Sequence, residues 1–373
     1  MPGLDLLRAI AIVWVMLYHA QNMGLQPEPA AAAQWGWMGV DLFYALSGFL
    51  IGGQLLMACQ QSPLDFKAFY WRRALRILPA YGVIVLIYFA WPDLREIKQI
   101  QPLWQFLTFT ENLLIVANGK AFSHVWSLCV EEHFYLVLPP LVWLLLRKPS
   151  ISKTLWAAGL ILLVGMCWRG GFWWSELAPV LTVESGPGNV YQRYMERIYY
   201  PTPARLDGLL FGVLAAALMV YRPRLWQNLM RHANVIALVS VAILGGAIWV
   251  LQEREAFWPS LLGFPLLSLA LVLLVASASS ETSILSRARV PGAAFVASLA
   301  YSLYLSHKLV FQALRSSDWA PYLLELGWLA MLVFGLAALF AAMLLHFLIE
   351  RPVLQWRDRA KAKTPNLSGV NYA

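Results

Sequence analysis

The sequence predicts an all-α fold: a polytopic membrane bundle of about ten transmembrane helices with both termini cytoplasmic. Three observations carry this. The 373 residues are 60% hydrophobic and only 13% charged, about half the charged share of a soluble chain. Mean hydropathy is +0.60, with the charges gathered in short patches between long apolar runs. Those runs approach the roughly 20 residues a helix needs to cross a bilayer. They do not alternate apolar with polar residues, as strands of a membrane barrel would.

Spans are expected near residues 4–20, 36–58, 77–91, 123–146, 154–168, 204–221, 233–251, 258–277, 292–314 and 322–349. The first, "LDLLRAIAIVWVMLYHA", has neither a basic region ahead of it nor a small-residue cleavage site, so it reads as a retained helix. The second, "GVDLFYALSGFLIGG", offers Gly48 and Gly52 as a small-residue pair for close helix packing. A basic stretch, "FKAFYWRRALRILP", precedes the third. The run 104–118 is apolar but short, so a re-entrant or interfacial helix is expected there. The segment 169–203, rich in Trp and Tyr, is expected either to cover the mouth of a cavity or to anchor at the bilayer interface.

With the N-terminus inside, 17 Lys and Arg fall in inside loops against 8 outside. That bias sets the orientation. It also accounts for the net charge of +8 without a nucleic-acid partner. Residues 1–359 read as one membrane domain and 360–373 as a polar cytoplasmic tail. Cys59, Cys129 and Cys167 are scattered and suggest neither a disulfide framework nor a zinc site. No His spacing suits a metal.

Ionisable residues within spans are costly and mark protein interiors or wet cavities. Arg8 and His19 are eleven residues apart, which places them within about 20° of one helix face and roughly 16 Å apart along the axis. A structural alternative is an Arg snorkelling to the surface beside Asp5. In "HVWSLCVEEHFYLVLPP", His124, Ser127, Glu131 and Tyr135 fall on one helical face. Glu131 is expected at a depth similar to His19, where its carboxylate could fix the imidazole tautomer. Arg72, Arg73 and Arg76 are expected at the inner surface. They could clamp phosphate or simply lie on anionic lipid. Asp41, Arg205, Asp207 and His307 are further candidates for a polar cleft, each more easily explained singly as structural. Glu350 and Arg351 are expected at the surface.

Together these stretches resemble the acyltransferase-3 family of multi-pass bacterial membrane proteins, which O-acylate surface glycans. The shared features are Arg8 and His19 as "R", ten residues, "H"; "GVDLFYALSGFLI"; "RRALRILP"; "WSLCVEEHFYLVLP"; "AYSLYLSH", ending on His307; and the closing "IERP". The chain departs from the usual pattern at His133, Ser306 and Lys308. The resemblance implies a bacterial cytoplasmic membrane and transfer of an acyl group, most commonly acetyl, from cytoplasmic acyl-CoA to a hydroxyl of a cell-surface or lipid-linked glycan. His19, Glu131 and Arg8 would be catalytic, with His19 either a general base or a transient carrier of the acyl group and Glu131 orienting it; the three arginines would hold the donor. No tightly bound cofactor is implied. The extracytoplasmic esterase-like domain of some relatives is not seen in this chain, so either a partner esterase-like protein is expected or this protein does the whole transfer. Other readings of the same buried charges are a proton-coupled transporter or flippase, or an acyltransferase acting on a small molecule.

Overall fold

The structure is a computed structural model that describes residues 1–25, 31–114, 120–182 and 187–362. Its long helices are α1 (Pro2–Asn22), α2 (Met38–Gln61), α3 (Phe66–Ala90), α4 (Trp126–Arg147), α5 (Ile151–Phe172), α6 (Asp207–Tyr221), α7 (Ala233–Val250), α8 (Phe257–Ala278), α9 (Ala293–Arg315) and α10 (Trp328–Leu345). Among the described residues, nine helices are long and apolar enough to cross a bilayer. The pair α6 and Pro223–Met230 meets that test jointly but turns by 110°. Pro223 at the break cannot continue α6, because it lacks an N–H and its ring collides with the preceding turn.

The helices alternate in direction. α1 and α9 run side by side in parallel: Gly3 abuts Leu285 and Ser286 just before α9 begins, and His19 meets His307 near the other end. α2 and α6 also run in parallel. A side chain at Gly48 would strike the Leu209 carbonyl, and one at Gly212 would strike the backbone of Ala45 and Phe49. Gly48 and Gly52 thus do bring two backbones together, as the small-residue spacing suggested. One end of the bundle carries Arg8 and the start of α3; the opposite end holds the last turn of α1 and the start of α4. These are called the basic end and the far end. The cores of α8 and α9 are mostly buried, whereas α5, α7 and α10 turn large apolar side chains outward, as lipid-facing helices do.

Three expectations change. The third span begins eleven residues earlier than expected, because Asp65 caps α3 by accepting from the Ala68 N–H at 2.9 Å. The basic stretch is therefore the first turns of a spanning helix. The run 104–118 does not form one helix. Leu103–Leu107 is a short helix, and Phe109 then takes a left-handed φ of 55° before a tight turn at Glu111–Leu113; residues 115–119 lie outside the described residues. Finally, α10 continues through His346–Glu350 into a helix Arg351–Ala362, crossing the boundary expected at 359. Residues 363–373 of the expected tail lie outside the described residues.

Candidate active site

α1, the turn Ser123–Val125 that leads into α4, and α9 bring three imidazoles together near the far end. His19 Nδ1 lies 2.7 Å from His307 Nε2, and the two rings are nearly parallel with centroids 5.0 Å apart. His124 stands edge-on to both, with centroids 5.8 Å from His19 and 5.2 Å from His307. His307 is fully buried, and its Nδ1 lies 2.9 Å from the Leu303 carbonyl oxygen, one turn back in α9. A carbonyl only accepts, so Nδ1 of His307 carries the proton. In the neutral ring, Nε2 is then an acceptor, and His19 must donate to it from Nδ1. That leaves the lone pair of His19 on Nε2. Among the described residues, no set of His, Cys, Asp and Glu is placed to hold a metal ion.

The first turn of α4 is tied down from two sides. Tyr304 donates its hydroxyl proton to the His124 carbonyl at 2.6 Å, so Ser127 Oγ, 2.5 Å from the Tyr304 oxygen, is the donor in that second contact. Tyr44 of α2 donates to the Ser127 carbonyl. Ser127, read from sequence as a cleft residue, is thus a brace for the turn carrying His124.

Glu131 lies elsewhere. It accepts from Tyr135 at 3.0 Å and from Ser47 at 3.4 Å, and the place expected for it beside His19 is taken by His307. The reason is depth. His19 is only three residues from the end of α1, level with His124; Glu131 is seven residues further along α4, roughly 10 Å towards the basic end. There the Arg73 guanidinium stacks 4.4 Å over the Tyr135 ring, making a connected group of Arg73, Tyr135, Glu131 and Ser47.

At the basic end the arginines part company. Arg72 is exposed, whereas Arg73 and Arg76 are partly buried. Arg76 is ion-paired with Glu350, which also accepts from Ser302 at 2.9 Å and contacts His346 at 3.0 Å. Glu350, expected at the surface, is only 1% exposed. The turn of α10 at 346–350 carries it inward against α3 and α9. Arg8 reaches Asp5 at 3.5 Å, remains partly exposed, and lies close enough to Arg76 for their charges to repel. The local partner Asp5 expected for it is therefore present.

Three other candidates are ion-paired in the interior. Arg205 bonds Asp41 at 2.7 Å, both buried, with its guanidinium 4.1 Å over Phe264 and 4.4 Å over Tyr199. Asp207 pairs with Arg169 at 2.8 Å. They pin the starts of α2 and α6 to their neighbours. Arg169 was counted in a loop by sequence reasoning, yet it is fully buried. Lys308 pairs at 3.0 Å with Glu96, which sequence reasoning also missed. Burial would raise the Glu96 carboxyl, but Lys308 and the Phe122 N–H outweigh it and hold it below its ordinary range. The available signal was the cost of Lys308 in an apolar span, which requires a carboxylate somewhere nearby.

Beyond His19, a cavity of about 990 Å³ opens at the far end, lined in part by Tyr18, Gln21, Trp35, Trp37, Tyr191 and Arg254. It lies on the face of α1 adjoining the one His19 occupies. Trp173 and Tyr191 from the segment 169–203 line it, while Tyr194, Tyr199 and Tyr200 are buried behind and Trp174 is exposed. That segment therefore both walls the cavity and presents an aromatic outside.

A bundle of membrane-length helices with a buried histidine cluster between a basic end and an open aromatic cavity has the layout of a membrane-embedded group-transfer enzyme. The chain belongs to the acyltransferase-3 family: the model of its acyltransferase domain matches residues 1–347. A provisionally named O-acetyltransferase of Staphylococcus aureus strain MSSA476 is 27% identical over 339 residues, 85% of this chain and 51% of that protein. The O-acetyltransferase OatA of Staphylococcus aureus strain NCTC 8325 is 24% identical over 331 residues, 82% of this chain and 50% of that protein. The chain thus spans about half the length of these relatives. No solved structure matches it.

Proposed function

We propose that this chain is an O-acyltransferase of a bacterial cytoplasmic membrane, both termini cytoplasmic, moving an acyl group from cytoplasmic acyl-CoA to a hydroxyl of a cell-surface or lipid-linked glycan. Acetyl is the first acyl group to test, because the relatives are named for it. The observation that carries the reading is the His19–His307 contact at 2.7 Å. It leaves His19 Nε2 as a free base in a helix that begins among arginines and ends at an aromatic cavity.

The charged part of CoA stays at the basic end, where Arg8 and Arg73 are partly exposed and can meet phosphate; Arg fits phosphate oxygens as a fork. The thin pantetheine arm passes Glu131 and Tyr135 towards His19. The acceptor enters the cavity of Trp35, Trp37 and Tyr191. Aromatic faces with a few polar groups suit a ligand having both apolar and hydroxyl-bearing sides. His19 Nε2 takes the proton of the acceptor hydroxyl as its oxygen attacks the thioester carbon.

The test uses purified protein in proteoliposomes, given radiolabelled acetyl-CoA and membranes of the expressing cells as the source of acceptor. His19→Ala, expressed and folded like wild type, is expected to lose transfer of label; transfer at the wild-type rate rejects the role. Mass spectrometry of cell glycans with and without the protein identifies the acceptor.

A further inference from the structure

We propose that His124 is a catalytic residue that donates a hydrogen bond to the acyl carbonyl oxygen as negative charge develops on it. The inference rests on the reading of His19 as the base and adds the group that faces the opposite product of the attack.

His124 is 2% exposed, yet neither ring nitrogen has a hydrogen-bond partner. A buried polar group left unpaired costs free energy and calls for an explanation. Its surroundings are not short of partners: Tyr304, Ser127 and Tyr44 all make hydrogen bonds. An imidazole in its neutral form always offers one N–H. Here that donor is held ready within the cluster that carries the base, its ring 5.8 Å from that of His19.

The backbone is built to aim this ring. Two residues before it, Phe122 adopts a left-handed φ of 61°. A bulky side chain rarely accepts that conformation, and it persists only where its surroundings impose it. Tyr88 stacks on Phe122 at 4.2 Å and Phe106 at 5.5 Å. Glu96 accepts the Phe122 N–H at 3.0 Å and is itself held by Lys308. Tyr304 then fixes the His124 carbonyl. Four elements thus lock one imidazole whose ring nitrogens make no well-formed hydrogen bond, which is the preorganisation an oxyanion site requires. His124 also lies two residues before the 22-residue helix α4, whose positive end favours a nearby negative charge.

The step balances. The acceptor hydroxyl oxygen bonds to the thioester carbon while its proton passes to His19 Nε2, and the carbonyl π pair moves onto oxygen, facing His124 N–H. Collapse re-forms the carbonyl and breaks the C–S bond. The sulfur leaves as thiolate and takes the proton back from His19, giving ester and free thiol.

The experiment compares wild type, His19→Ala, His124→Phe, His124→Asn and His124→Gln in proteoliposomes with acetyl-CoA and cell membranes as acceptor source. His124→Phe is expected to lower kcat about 10²–10³-fold, the usual loss for one oxyanion donor. KM for acetyl-CoA and the unfolding temperature should stay near wild type. Asn and Gln place an amide N–H near one or the other ring nitrogen, so at least one should recover about tenfold of the loss. Wild-type kcat in His124→Phe overturns the inference. So does a loss shared equally by all three His124 variants, or one that follows the unfolding temperature or KM, since a packing role predicts those. If the Phe variant fails to fold, the amide variants decide between them: kcat about tenfold or more higher in one than in the other, at unchanged stability and KM, is the supporting result, and an equal loss in both overturns it. Wild-type transfer by His19→Ala rejects the underlying base assignment and is read separately from the His124 series.

Discussion

His19 Nδ1 stands 2.7 Å from His307 Nε2, and the bond from His307 Nδ1 to Leu303 makes His307 the acceptor in that contact. The chemistry available to His19 is therefore set from another helix, 288 residues away. His307→Leu removes the acceptor and leaves the His19 tautomer unset. The expected result is a fall in kcat of about 10²-fold with little change in KM for acetyl-CoA. His307→Gln, whose side-chain oxygen lies near the position of Nε2, should recover part of the loss. Steady-state kinetics of the two variants check this, and equal loss in both speaks against tautomer control.

Arg72 and Arg73 are adjacent but face differently: Arg72 is exposed, while Arg73 stacks on Tyr135 beside Glu131. Arg73→Ala is expected to raise KM for acetyl-CoA about tenfold, equivalent to about 1.4 kcal/mol of donor binding. Arg72→Ala should leave it unchanged. Titration of acetyl-CoA binding to the two purified variants distinguishes them; equal effects would place the donor on the surface of α3 instead.

The Arg205–Asp41 pair is buried on both sides. Arg205→Ala leaves a carboxylate buried without its partner and is expected to destabilise the fold by about 3–5 kcal/mol. Replacing both residues, Asp41→Ala with Arg205→Met, should recover much of that. Thermal unfolding in detergent measures the difference. A double variant as unstable as the single one would show that the aromatic cage around Arg205, and not the stranded charge, sets the cost.

Glu111, in a turn outside the spanning helices, is fully buried, and neither carboxylate oxygen has a hydrogen-bond partner. Burial pushes its carboxyl well above the ordinary range, against the pull of Lys308. The folded state then holds a proton that the unfolded state has released. Stability falls as pH rises from the ordinary carboxylate range towards the folded value. Glu111→Gln removes that dependence. It should raise the unfolding temperature more at about pH 8 than at about pH 5; an equal change at both pH values would contradict it.

The architecture was legible from local sequence. Apolar runs, the Gly48–Gly52 spacing and the placement of Arg and Lys specify helices, a face of α2 suited to close packing and two chemically different ends, because hydrophobicity and helical period act within one segment. The alignment of Arg8 with His19 was legible for the same reason. Partners were a different matter. Glu131 was the plausible orienter of His19, yet its hydrogen bonds go to Ser47 and Tyr135, because depth depends on where each helix begins and how far it slides against its neighbour. Asp65 moved the start of α3 by eleven residues, and the turn at His346–Glu350 drew a residue expected at the surface into contact with Arg76.

What the sequence determined by itself, then, was which residues are too costly to leave alone in a membrane: Arg8, His19, His124, Arg205, His307 and Lys308 all declare themselves by charge or polarity within apolar runs. Only the tertiary structure decided who answers each of them. His307 answers His19, Asp41 answers Arg205 and Glu96 answers Lys308, while His124 is left with none. The physical reason is that a hydrogen bond or ion pair is made over about 3 Å, and that distance between residues remote in sequence is fixed by helix packing, which no single segment encodes.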